Sequence, residues 1–409
     1  MNHDVHEPLI AEWLIEGPVP GSRDGLERAL AATRTIRQRP GWIFVERWLP
    51  MELTMDRVRA PRLVSTAALV ILLALVLALA AAFVGSRRPL PAPIGLAGNG
   101  LMAFEAEQHI YVARSDGSER RQISSGLGIE RQPAFSPDGR RMAFVSSAAN
   151  DVGQLYVVPL DGSHEAIDVT GGVDLWPAHL STFAWSPDSR YIAFTSVRHG
   201  VTTIFVAASD GTGATAITDR TAIHDLPSWS PDGERLAYRI AKSDGSTQSL
   251  AIARPDGSSE LIVTSVNGPG STLGLSRWSP DGSRLAYYRE DDAASRAMTV
   301  DLDGHTTTIF PEAAGALATP WSPDGRSVAL VTESDGIILV DPDGRNPRRL
   351  GRLADCWVDW SPDGTALYGG GPDGCGGVVV ITLSVPGSPT THLLPGPIGG
   401  VSSWQRVAP

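Results

Sequence analysis

Lysine is nearly missing from this chain, with Lys242 alone in 409 residues, and cysteine occurs only twice, at Cys356 and Cys375. The lysine shortage reads as compositional bias. Acids outnumber bases, 45 to 34, for a formal charge of −11. Residues 1–62 hold nine Arg and nine Asp or Glu, so the whole acidic excess lies downstream, where it repels phosphate backbones and argues against nucleic acid as a partner. The linear signatures of catalysis are also missing. There is no Gly-x-Ser-x-Gly elbow, and the nearest approach, Gly325-Arg326-Ser327-Val328-Ala329, lies on the strand after a repeated turn. The nine histidines are scattered and none sits in His-Glu-x-x-His. No Gly-rich phosphate loop stands out. Asp301-x-Asp303-Gly304 and Asp341-x-Asp343-Gly344 open like calcium loops, but no closing glutamate follows at ligand spacing, and they are read as turns. The expectation is no catalytic, cofactor-binding or metal residues, no cofactor, and a protein that is not an enzyme.

What is present repeats. A Phe/Trp-Ser-Pro-Asp core begins at Phe135, Trp185, Trp229, Trp278, Trp321 and Trp360, at intervals of 39 to 50 residues, the mark of stacked supersecondary units. Ser-Pro-Asp-Gly is tight-turn chemistry: Pro fixes φ, Asp bonds local amides, and Gly takes the left-handed conformation. An apolar strand follows each turn, as in Met142-Ala143-Phe144 and Leu236-Ala237-Tyr238. A further strand then ends in Asp-Gly, as at Asp210-Gly211, Asp256-Gly257, Asp303-Gly304 and Asp343-Gly344. Each copy therefore predicts four short antiparallel strands, and the array predicts a β-propeller, whose radial repetition leaves few exposed edges.

On these residues, Phe135-Ser136-Pro137-Asp138-Gly139 and its five later copies, the chain resembles the WD-repeat-like propeller of TolB-type proteins. The resemblance covers about three quarters of the chain and implies a ring of such blades. It does not reach the domain that precedes the propeller in TolB, so it does not extend to the Tol-Pal system. Met102-Ala103-Phe104 is a second strand without a preceding turn, while Ser403-Trp404-Gln405 is an aromatic strand in phase with nothing after it. Together they make a seventh blade, with the Trp404 strand innermost. The fold class is all-β, a seven-bladed propeller of four-stranded blades, preceded by one transmembrane helix and a small helical N-terminal region.

Four segments follow. Residues 1–62 form a small region with helical patterning, best over Ser22 to Arg37, and are read as cytoplasmic with a protein partner there. Leu63 to Val84 carry no charge, and at 1.5 Å per residue they span a bilayer's hydrocarbon core. Residues 63–85 are thus a signal anchor, with Arg57, Arg59 and Arg62 before it and Arg87 and Arg88 after it, which places the N-terminus in the cytoplasm. Residues 86–98 are a proline-rich spacer, and residues 99–409 the propeller, outside the cytoplasm. Cys356 and Cys375 both fall in the last repeat, where an oxidising compartment permits a disulfide; two free thiols are the alternative.

Strand alternation puts the repeated turns on one face and longer, more varied connections on the other. Asp174, Trp176, His179, His224, Asp225 and Asp291 on that loop face are the candidate contacts for a protein or cell-envelope ligand. The chain is accordingly expected to be a noncatalytic binding, scaffold or sensing module. The alternative is a hydrolase or other enzyme whose site is assembled from loops at the propeller mouth. Clustered, shifted carboxylates or histidines around the channel would favour the enzyme.

Overall fold

The computed structural model describes residues 95–408, apart from 125–127, 151, 164, 176–181, 199–200, 220, 292–293, 311–319, 333–334, 353–356, 372–376, 384–387 and 395–398. Contacts divide the chain into Met1–Ser86 and Arg87–Pro409, and the described residues all belong to the second unit. The helical N-terminal region, the span at 63–85, most of the spacer, and Cys356 and Cys375 lie outside them.

Seven antiparallel sheets form the propeller. Blade 2 shows the scheme: inner strand Ile129–Phe135, then Arg141–Ser147, Gly153–Pro159 and an outer strand of two residues, Ile167–Asp168. Blades 3, 4 and 7 repeat it from inner strands Phe183–Trp185, Ile223–Trp229 and Val358–Trp360. In blade 5 the inner position is filled by two short pieces, Thr272–Leu273 and Arg277–Trp278, both on Arg284–Asp291. In blade 6 it narrows to a bridge between Trp321 and Val328. Blade 1 is assembled from both ends of the unit. Gly399–Val407 is its inner strand, paired with Gly98–Ala106 in a register that sets Trp404 opposite Met102.

The turns explain why the motif is so constant. In every copy the serine hydroxyl donates to the aspartate two residues on, from 2.5 Å for Ser230 and Asp232 to 2.7 Å for Ser361 and Asp363. The same serine oxygen accepts an amide five residues on, as from Arg235 at 2.9 Å, and the glycine amide returns to the serine carbonyl. Burial pushes the Asp232 carboxyl up, but the Ser230 hydroxyl and Glu234 amide outweigh it and hold it below the ordinary value. Gly233 and its counterparts take φ near +70°, which L side chains resist. Blade 3 departs from this, because Ser189 stands there at φ 62°. Its hydroxyl accepts the Asp138 amide at 3.0 Å, so the strained residue also ties two blades together.

No single core fills the disc. Seven apolar clusters occupy seven seams between blades, including that between blades 7 and 1, where Met102, Phe104 and Trp404 pack on Tyr368 and Val378. The repeat's aromatics, all under a tenth exposed, lie in these seams. Their indole N–H groups act as staples. Trp185 donates to the carbonyl of Ala134, Trp229 to Ala184, Trp278 to Ser228, Trp321 to Arg277 and Trp360 to Pro320, each at 3.1–3.2 Å. Every acceptor is the residue just before the aromatic of the preceding blade. This is why the position favours Trp over an equally large apolar side chain.

Candidate functional site at the propeller axis

The inner strands enclose a central cavity of about 620 Å³. Toward the loop face its wall is largely apolar: Pro133, Phe183, Pro227, Leu275 and Trp357. A second cavity of about 380 Å³ toward the turn face shares Phe135, Trp229, Arg277, Asp359, Tyr368 and Ser403 with the first, so the two form one channel. The residue before each repeat aromatic lines it. Around the ring these are Ala134, Ala184, Ser228, Arg277, Pro320, Asp359 and Ser403. Five are small or neutral, and two carry opposite charges.

Asp359 is half-buried, and one carboxylate oxygen accepts the Trp360 amide at 2.8 Å. Burial pushes its carboxyl above the ordinary range, and the positive charge of Arg277 only partly offsets this. Across the strand pair, opposite Asp359, stands Tyr368, buried and edge-on to both Trp357 and Trp404 at 5.7 and 5.6 Å between centroids. Burial, reinforced by the Asp359 charge, raises the Tyr368 phenol well above its ordinary value. The seam here departs from the staple pattern, since Trp404 donates to Gly100 at 3.2 Å and leaves the Asp359 carbonyl to its own blade. One seam on, Phe135 has no indole to offer, and its backbone amide donates to the Ser403 hydroxyl at 3.2 Å.

The described loop-face candidates, Asp174, His224, Asp225 and Asp291, do not line the channel. Asp174 is exposed and accepts from Gln154 at 3.3 Å. His224 is buried, edge-on to the Tyr238 ring, with Nδ1 3.1 Å from the Ala222 carbonyl. Asp225 is held by Arg239 through two bonds at 2.8 and 2.5 Å, and Arg239 also reaches the Leu273 carbonyl at 3.1 Å. Asp291 pairs with Arg296 at 2.9 Å and Arg289 at 3.3 Å. Trp176 and His179 lie outside the described residues. Asp301, Asp303 and His305 cluster on a turn, but Asp301 accepts the amides of Asp303 and His305 at 3.0 and 2.8 Å, as a turn-forming aspartate does.

Arg277 and Asp359 were not singled out from sequence. Setting the seven copies under one another and reading the column before the aromatic finds them, because charge is exceptional there.

No family model matches the chain. Over 46 residues it is 50% identical to the Protein TolB homolog of Chlorobium luteolum, a match covering 11% of each protein. Over 117 residues it is 32% identical to the uncharacterized peptidase YuxL of Bacillus subtilis, covering 28% of this chain and 17% of that one. The matches therefore span a small part of these relatives' own lengths. Among solved structures, hydrazine synthase of Kuenenia stuttgartiensis superposes with a TM-score of 0.55 at 15% identity, over 73% of this chain and 98% of that one. A Mycobacterium tuberculosis puromycin-hydrolyzing peptidase does so with 0.55 at 16%, over 79% and 57%. At such identities the likeness is one of fold. The seven-bladed ring and the repeat similarity to TolB homologues make this a TolB-like β-propeller.

Proposed function

We propose that the chain is a membrane-tethered, noncatalytic binding module whose ligand enters the axial channel of an extracytoplasmic propeller. The observation that carries this reading is the channel itself: a cavity of about 620 Å³ with aromatic and proline walls and two opposite charges set in an otherwise neutral ring. Sites for small ligands have this make-up, an apolar enclosure with few convergent polar groups. The tether rests on the uncharged run from Leu63 to Val84, and export of the propeller on the arginines flanking it. Residues 1–62 stay in the cytoplasm, available to a protein partner.

A second reading is enzymatic, and one observation favours it. A carboxyl raised by burial beside a buried phenol, as Asp359 is beside Tyr368, suits general acid catalysis. Two similar proteins are named as peptidases.

Envelope extract passed over immobilised full-length protein tests both. The binding reading expects small-molecule material retained by the wild type, recovered unchanged in mass, and lost in Ala184→Trp, which fills the channel. Equal retention by the filled variant overturns it. Recovery of a converted species, with conversion abolished by Asp359→Asn, establishes the enzyme.

A further inference from the structure

Among the described residues, two charges in the channel lack the partners that charged groups at such a position usually have. The Arg277 guanidinium makes no hydrogen bond or ion pair with any described residue; its backbone pairs with Ala286 and its carbonyl also accepts from Trp321. Asp359 feels the charge of Arg277 but no ion pair joins them, and the carboxylate oxygen not bonded to Trp360 has no partner among the described residues. Elsewhere the propeller closes such pairs directly, as Arg239 does with Asp225 and Arg296 with Asp291. Here the two stand in blades 5 and 7, separated by the uncharged Pro320 of blade 6.

A guanidinium left free presents a planar fork matched to a carboxylate, which it takes through two parallel bonds. A carboxylate oxygen left free accepts a donor, and a cationic donor relieves its desolvation best. A ligand that joins the two must therefore carry both an anionic group and a donor. The apolar surfaces of Trp357 and Leu275 on the same wall receive the rest of it.

We propose that the channel binds a small molecule bearing both a carboxylate and a hydrogen-bond donor, with the carboxylate on Arg277 and the donor on Asp359. This rests on the reading of the channel as a binding site. Two sources share the chemistry: an α-amino acid, whose donor is an ammonium group, and a sugar acid, whose donor is a hydroxyl. The ring's two charges cancel, so an amino-acid zwitterion leaves the bound site neutral, whereas a sugar acid leaves it singly negative.

Calorimetric titration of full-length protein in detergent micelles tests the assignment, using the common L-amino acids, D-glucuronate, and neutral D-glucose as control. Saturable binding is expected from an amino acid or from glucuronate and not from glucose. Arg277→Gln should weaken it more than tenfold, and Arg277→Lys, which keeps the charge and loses the fork, by less. Asp359→Asn should weaken an amino acid strongly and glucuronate little. Unchanged circular dichroism certifies each variant's fold, and Arg277→Lys serves should Arg277→Gln not fold. No binding by any of the acids, or equal affinity in both Arg277 variants, overturns the proposal. If extract material is still retained by the wild type and lost in Ala184→Trp, only the ligand class is wrong; if retention fails too, the binding reading falls with it.

Discussion

The indole of Trp404 donates to the carbonyl oxygen of Gly100 at 3.2 Å, across 304 positions of chain. This bond and the ladder around it lock the last strand onto the first, so a ring with no covalent closure has no open seam between blades 7 and 1. Trp404 is only 6% exposed, and truncating a buried Trp commonly costs about 3–5 kcal/mol. Against a net domain stability of about 5–15 kcal/mol that is a large share. Trp404→Ala, and deletion of residues 400–409, should each lower the thermal unfolding midpoint of the whole propeller. An unchanged midpoint in both would mean that the terminal strand does not close the ring.

How much of this was legible in sequence depends on whether the physics is local. The turn was legible because Ser, Pro, Asp and Gly each act on their own backbone, and six copies in phase fixed the period. Trp404 was legible as a closing strand because it keeps that phase after Trp360. Ser189 at φ 62° was not, since a serine at that position gives no sign of a left-handed backbone, and the bonds to blade 2 that hold it there are non-local. Nor was the Trp staple, whose acceptor carbonyl belongs to another repeat. The channel pair escaped for the same reason. Arg277 and Asp359 lie in separate repeats, next to motifs that read as packing, and only ring geometry makes them neighbours. Nor was it legible that His224 and Asp225 lie on the strand Ile223–Trp229, with His224 buried and Asp225 bonded to Arg239.

Stability should respond to pH in two opposite ways. The Asp363 carboxyl is pushed up by burial, but the Ser361 hydroxyl and Thr365 amide prevail and lower it below 3.8, with Asp281 alike in its own turn. Such groups stabilise the fold above that ordinary value, and the contribution is lost as pH falls through the depressed folded value. Asp359 has the reverse sign. Its folded carboxyl is raised, so the folded state holds the proton more tightly and stability falls as pH rises from 3.8 through the raised value. Asp359→Asn should therefore raise the midpoint at pH 7 relative to wild type and not below pH 3.8, while Asp363→Asn lowers it at pH 7. Thermal melts across pH check both, and an Asp359→Asn effect independent of pH would contradict the assignment.

The membrane topology proposed from Leu63 to Val84 predicts that protease added to intact cells degrades the propeller and spares residues 1–60. Thiol labelling of denatured, unreduced protein should leave Cys356 and Cys375 unmodified if the exported blade is bridged. Protection of the propeller with digestion of the N-terminus would reverse the orientation.

The central claim is that ligand occupies the channel at Arg277, and arginine footprinting of the full-length protein tests it most directly. In free protein the exposed Arg277 guanidinium, which has no partner among the described residues, should react readily with phenylglyoxal, as read by mass spectrometry of its peptide. After addition of the envelope material retained by the wild type, Arg277 should be protected while exposed Arg326 and Arg345 on the turn face react as before. Equal modification of Arg277 with and without that material would contradict the account.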